Sequence, residues 1–403
     1  MAKRNKATTP NIATPVVQPP TIAQRTPTTD EQQRLEQCDN SVLMAMLDTA
    51  LSMKRPHKGT GEKNLLGQIL VTCTTHAPDA RWTYDAIGNL HIDTRTAAEH
   101  RSLFVAHVDT VHQADGPNRI RKTDSVWYAD GSQLGADNGA GVAIAVHMLT
   151  AGTPGRYVFT VGEERGGIGA SELARSDAAL LSQFDRAVTF DRRGTSSVIT
   201  HQGMSRCCSD EFAETLSAHL CEQGLLYMPD DTGVYTDTAE FVDVIGECTN
   251  ISVGYEREHS DMEALDILHL QALAFAVLAI DWDRLPAVRV AGSYEPDLHT
   301  GAFGKWGTQI GYTAGGFMDP ADEEMHDALV EWTNGSTVML TALVVSFATD
   351  DYGSVCTEDE LRPLCLRAVN ALTLDVAGRL IEDLLNAAPA HSVVEEILSS
   401  VLS

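Results

Sequence analysis

Positive charge is scarce in this chain of 403 residues. Twenty-nine Lys and Arg stand against 56 Asp and Glu, a formal net charge of -27. That balance excludes the clustered basic surface that nucleic-acid binding requires. It fits a soluble, self-repelling protein. Long apolar runs are missing as well. The longest uncharged apolar stretch, 267–280, has 14 residues, short of the ~20 a membrane span needs, so a buried core helix is expected there. Eight cysteines are present, yet none forms a Cys-x-x-Cys pair or a zinc-finger spacing. A disulfide framework is not expected in a chain this long without a secretory signal, and reduced, mostly buried thiols are. The basic residues Lys3, Arg4 and Lys6 are not followed by an apolar stretch, so no signal peptide is read and a cytoplasmic location is expected.

What is present is an ordinary globular composition, 43% hydrophobic, in a chain long enough for one large domain and a smaller one. Residues 1–32 are rich in Thr, Pro, Gln and Ala. Such a segment cannot bury enough apolar surface to offset its ordering entropy, so a disordered tail is expected. Over 33–285, short apolar runs alternate with helical patterns. Runs at 102–106, 157–161, 186–190 and 250–253 read as buried strands, and stretches near 138–150, 167–176, 209–223 and 264–282 read as helices. The expected fold class is α/β, a mixed, mostly parallel doubly wound sheet with helices on both faces. Residues 286–403 are markedly acidic, carry no catalytic motif and end in amphipathic patterns. They read as an α-rich C-terminal extension of unknown role.

Acidic and histidine motifs follow the four strand candidates, at the rim where such sheets bind ligands. His107-Val108-Asp109 ends the first. An imidazole there can bind a metal while a carboxylate two residues on accepts its other ring N–H, although a polar loop would read the same. Gly135-Ala136-Asp137-Asn138-Gly139 opens a helix. It lacks the GxGxxG spacing and any Lys-Ser/Thr end, which leaves a helix cap or a carboxylate bridging two cations. Glu163 and Glu164 follow the second strand. Two adjacent acids at a buried strand end are costly without a compensating cation, though a solvated acidic turn remains open. Asp191 precedes Arg192 and Arg193, so a surface ion pair is an alternative there. His259 lies between Glu258 and Ser260, ahead of a helix.

In this order the motifs resemble the di-zinc exopeptidase superfamily, in particular the compact bacterial leucyl aminopeptidase type. They are also similar to the peptidase T, carboxypeptidase G and acetylornithine deacetylase type. The resemblance spans about residues 60–283 and extends to Asp85-Ala86-Ile87-Gly88-Asn89-Leu90 and to 250–255. It implies a metal-dependent hydrolase of amide bonds in short peptides, aminopeptidase-like, with two Zn2+ (Mn2+ or Co2+ as alternatives). His107 and Asp191 would bind one ion, Glu164 and His259 the other, and Asp137 both. Asp109 would orient His107. Glu163 would be the general base toward a water held between the ions.

Many relatives carry a lid of roughly a hundred residues between the ligands equivalent to Asp191 and His259. Here those positions are 68 apart, which leaves no room for one. The catalytic domain is therefore expected over 33–285 without a lid insertion. An oxyanion donor must come from elsewhere, with Tyr227, Tyr235 and Tyr255 as candidates and Arg192, Arg193 or His201 behind them. Glu256, Glu258, Asp237 and Glu240 could meet a substrate ammonium. Two other functions stay open: an N-acyl-amino-acid deacylase with the same metal pair, and a non-catalytic binding protein on a peptidase fold. The expected partner is a small peptide or N-acyl amino acid, with no nucleic acid and no membrane, and the oligomeric state is left open.

Overall fold

The structure, a computed structural model, describes residues 39–202 and 205–293 and a few isolated positions before them. The tail expected over 1–32 lies almost wholly outside the described residues, as does the C-terminal extension from residue 294 on.

The β-branched and apolar runs form an eight-stranded mixed sheet. In chain order its strands are β1 (Arg81–Tyr84), β2 (Leu90–Asp93), β3 (Ser102–His107), β6 (Arg156–Thr160), β7 (Arg186–Arg192), β8 (Ser197–Ile199), β9 (Met228–Asp230) and β10 (Glu247–Ser252). Their spatial order is β9-β8-β10-β7-β3-β6-β2-β1. The four central strands β10, β7, β3 and β6 run parallel, and β2 and β8 join them antiparallel. A smaller antiparallel sheet is built from β4 (Ile120–Lys122), β5 (Val126–Ala129), β11 (Tyr255–Glu256) and β12 (Ala264–Asp266).

Side chains alternate across the central strands, and each set finds its own layer of helices. Phe104, Ala106, Tyr157, Phe159, Val188 and Phe190 join one core cluster. It holds residues of α1 (Ser41–Leu51), α2 (Thr60–His76), α3 (Ala136–Thr150), α5 (Asp210–Glu222) and α6 (Ile267–Leu278). Leu103, Val105, Val158 and Ala187 face a second cluster with Ala170 and Leu173 of α4 (Ile168–Ser176), Phe241 and Ile245. Each large apolar side chain so buried contributes roughly 1.5–3 kcal/mol. Two packed faces explain why β3 and β10 are buried along their whole length and β6 at all but its first residue, and the fold is the doubly wound α/β arrangement expected from the sequence.

Helix α6 differs from expectation at its start. Residues 264–266 do not begin it but pair with β5 as β12. The Asp266 carboxylate then caps the helix by accepting the His269 N–H at 3.0 Å. The apolar run 267–280 supplies a core helix over Ile267–Leu278, and among the described residues no helix is long and apolar enough to cross a membrane. The interval before His259 is filled by β8, β9, α5, β10 and a 3-10 turn at Asp237–Phe241, all of it packed into or beside the main sheet. Cys73, Cys207, Cys208 and Cys248 are buried free thiols and Cys221 is an exposed one. The other three cysteines lie outside the described residues.

Candidate metal centre

Strand ends, the start of one helix and one loop deliver their polar groups to a single rim. His107 is the last residue of β3, and its side chain is 1% exposed. Asp137 sits in the first turn of α3, where the backbone leaves helical geometry and the Asp137–Asn138 peptide is cis. Glu163 and Glu164 form a 3-10 turn just past β6, flanked by Gly162 and Gly166, both with positive φ. Any side chain at Gly162 would also strike the His57 ring, 2.9 Å from a Cβ there, so glycine is needed for space as well as for φ. Asp191 is the next-to-last residue of β7. His259 is in the loop between β11 and β12, with φ +62°.

These groups converge. His107 Nε2 lies 3.0 Å from Asp137 Oδ1 and 3.5 Å from Asp191 Oδ1. His259 Nε2 lies 3.1 Å from Asp137 Oδ2 and 3.1 Å from Glu164 Oε2. The two oxygens of Asp137 therefore face two different imidazoles. Two groups of potential ligands overlap on that one carboxylate: His107, Asp137 and Asp191, and Asp137, Glu164 and His259. Glu163 Oε2 is 3.9 Å from His107 Nε2. Beneath them, Asp109 is fully buried and its two oxygens accept the backbone N–H groups of Glu163 at 3.0 Å and Glu164 at 3.2 Å. Asp109 Oδ1 stands 3.6 Å from His107 Nδ1, an ion-pair separation rather than a hydrogen bond.

The electrostatics suit a cation. Burial pushes the Glu163 carboxyl well above its usual range; His107 opposes the shift, and Glu164, Asp191 and Asp237 add to it. Burial likewise raises Glu164 and moves Asp191 up to about 6, with the charge of Asp137 next. Burial would lower both imidazoles, yet their carboxylate neighbours outweigh it. His107 stands well above its usual value, chiefly through Asp191 and Glu163, and His259 is pushed up to about 12, chiefly through Glu164. Carboxylates thus surround both imidazoles and favour positive charge at this rim. Glu164 Oε1 is buried without a hydrogen-bond partner. An orphaned carboxylate oxygen among packed acids is costly, and a divalent ion satisfies it. The imidazole and carboxylate donors fit zinc or a similar ion.

The tyrosines separate. Tyr235 and Tyr255 line the cavity at the rim, and Tyr227 does not. The Tyr227 hydroxyl is buried, bonded to Ser252 O at 2.5 Å and His269 Nε2 at 2.9 Å. Tyr255 donates to Asp191 O at 2.8 Å and Tyr235 to Glu240 Oε1 at 2.8 Å. Arg192, Arg193 and Glu258 also line the cavity. Asp237 is buried below the site, hydrogen-bonded by the Thr160 hydroxyl, and is held at about 7 by burial and then by Asp109 and Asp191, against the pull of His107 and that bond. It is out of a substrate's reach.

Two supporting residues carry no local sequence signal. Glu263 is buried and accepts the N–H groups of Gly135 at 2.9 Å, Ala136 at 2.7 Å and Asp137 at 3.1 Å. It joins the loop that holds Asp137 to the loop that holds His259. Arg55 is fully buried, and its guanidinium donates to the carbonyls of Val108 at 2.8 Å, Gly135 at 2.9 Å and Ala50. Burial lowers its pKa only to about 10, so it keeps a positive charge behind the acids.

No protein-family model and no curated protein matches the sequence. Solved structures do resemble it. The aminopeptidase PepT of Bacillus cereus is 14% identical over 61% of this chain and 97% of its own, with a TM-score of 0.50. A tripeptidase of Staphylococcus aureus is 17% identical over 60% and 97%, with a TM-score of 0.49. The TET1 peptidase of Pyrococcus horikoshii is 15% identical over 59% and 98%, with a TM-score of 0.46. The likeness to the Bacillus protein is one of fold.

Proposed function

We propose that the chain hydrolyses the amide bond of short peptides in a metal-dependent, aminopeptidase-like reaction. One observation carries the reading: two potential ligand groups share Asp137, each of its oxygens facing a different histidine. His107 and Asp191 would hold one ion, Glu164 and His259 the other, and Asp137 both, with zinc the expected metal. Such ions act as Lewis acids toward an amide carbonyl and an attacking water. Asp109 fixes the turn that presents Glu163 and Glu164 and sits behind His107. Glu163 accepts a proton from the water and delivers it to the leaving amine as the C–N bond breaks. Its carboxylate stands 3.9 Å from His107 Nε2 and lines the cavity, within reach of both candidate ligand groups. Tyr255 lines the cavity but spends its one hydroxyl proton on the Asp191 carbonyl, so it positions that residue rather than meeting the developing oxyanion.

The cavity measures about 210 Å3, below the ~300–1,000 Å3 typical of pockets for drug-sized ligands, which favours a short substrate. The catalytic unit is proposed to span 33–285 without a lid. Dipeptide hydrolysis with and without chelator tests the reading, together with Glu163→Gln. The variant is expected to keep its metal and lose about 10^2–10^4-fold in kcat. Chelator-insensitive hydrolysis, or a fully active variant, would refute the mechanism.

A further inference from the structure

His57 is an imidazole outside both ligand groups, set in the loop that enters α2, with its side chain 10% exposed. That loop is firmly held. Asp115 accepts the N–H groups of Thr60 and Gly61, each at 2.8 Å, in the first turn of the helix. Glu62, 4% exposed, accepts the Lys58 N–H at 2.7 Å on one oxygen, and its other oxygen stands 3.0 Å from His57 Nδ1. A carboxylate only accepts, so Nδ1 carries the proton and the ring is fixed in orientation. Lys58 has φ +63°. A lysine stays in that region only where its surroundings over-determine it, and such positions gather at functional sites.

The ring lies against Gly162, where a Cβ would come within 2.9 Å of Cε1 and 3.1 Å of Nδ1. Gly162 opens the turn of Glu163 and Glu164, and its carbonyl accepts from Arg165 N at 3.3 Å and Ile168 N at 3.0 Å. Asp109 is close too: one polar atom each of His57, Glu62 and Asp109 lie within 4.8 Å of one another. All four carboxylate oxygens of that cluster already accept hydrogen bonds, those of Glu62 from His57 and Lys58 and those of Asp109 from Glu163 and Glu164. The cluster therefore works as a brace. Asp109 grips the turn by its N–H groups, and the His57 ring packs on the residue before them. His57 Nε2 is buried and, among the described residues, has no partner. Leaving it so is costly, and a side chain that merely filled the space would carry no such cost.

From this geometry we infer that His57, oriented by Glu62, is a positioning residue for the general base: its ring fixes Gly162 and so aims the Glu163 carboxylate at the metal centre. The inference rests on the proposed hydrolysis. His57 does not line the cavity, so it acts through the turn and not on the substrate. The effect of such a residue falls on the chemical step, because a reacting group displaced by about 1 Å can cost on the order of 10^2-fold in rate.

The test is leucyl-alanine hydrolysis by the metal-loaded full chain and its variants. His57→Ala is expected to lose about 10–100-fold in kcat, with KM and metal content unchanged. Glu62→Ala unpins the ring and carries the same expectation, so it serves where His57→Ala does not fold. The decisive arm is a double-mutant cycle. In Glu163→Gln, adding His57→Ala should cost nothing further, because no base is left to aim. An equal fold-loss in both backgrounds would mark a general disturbance and overturn the inference. So would an unchanged kcat in His57→Ala, or a loss that follows lost metal. If the wild type hydrolyses no peptide, the proposed reaction fails separately, and hydrogen exchange decides the brace. The Glu163 and Glu164 N–H groups should exchange about 10-fold faster in His57→Ala while α2 keeps its protection. Unchanged exchange at the turn, or equal acceleration throughout α2, would refute it.

Discussion

The two histidines of the site have the same chemistry and different support. His107 ends a central parallel strand, 1% exposed, with Asp109 behind it. His259 is 34% exposed on the loop between the short strands β11 and β12, at φ +62°, a region few residues other than glycine adopt. The sheet holds the first by packing. The second is held by a long-range link, because Glu263, four residues on, is bonded to the backbone of the Asp137 loop. The sheet thus supplies one half of the centre, and two tethered loops supply the other.

The largest effect should come from the residue common to both halves. Asp137→Ala is expected to lose both ions and at least about 10^3-fold in kcat/KM, since several kcal/mol of charge stabilisation is removed. Steady-state kinetics with metal analysis would show it, and retention of one tightly held ion would show that the halves are independent. Next is the tether. Glu263→Gln should weaken metal affinity by about 10–100-fold, the usual cost of losing an outer supporting group, and the loss should fall on the ion shared with His259. A competition titration with a chromophoric chelator measures this.

A smaller effect concerns pH and the metal-free protein. Asp191 is raised to about 6, and Asp237 and Glu263 to about 7. The folded state therefore binds more protons than the unfolded chain between about pH 4 and 7. The stability from these groups is complete below that window and is lost as pH rises through it. The melting temperature of chelator-treated protein should fall by roughly 5 °C or more from pH 5 to 8, and loading with zinc should abolish the fall. The smallest effect is Tyr227→Phe. Among the described residues its hydroxyl bonds Ser252 and His269 alone, so about 1 kcal/mol of stability is expected to go with kcat unchanged, whereas Tyr255→Phe, which loses the bond to the Asp191 carbonyl, should lower kcat.

The contrast also explains what could be read in advance. His107, Glu163, Glu164 and Asp191 each follow a short apolar run whose length and composition mark it as a strand, so their place at a common rim follows from local pattern. The cap that starts α6 at Ile267 is local, an Asp266 carboxylate three residues from the N–H it accepts, but the strand at 264–266 depends on β5 more than a hundred residues earlier, and the expected helix began too soon. Arg55 and Glu263 look like ordinary surface charges. Their meaning lies in backbone groups 80 and 128 positions away, which no local periodicity encodes. Tyr227 and Tyr255 are equivalent by position alone, and packing separates them.

The central claim is a pair of ions sharing Asp137. Zinc content per chain, by mass spectrometry after dialysis, tests it most directly in the wild type, His107→Ala and His259→Ala. Two equivalents are predicted for the wild type and one for each variant. A wild type that retains none or only one, or variants that both retain two, would contradict it.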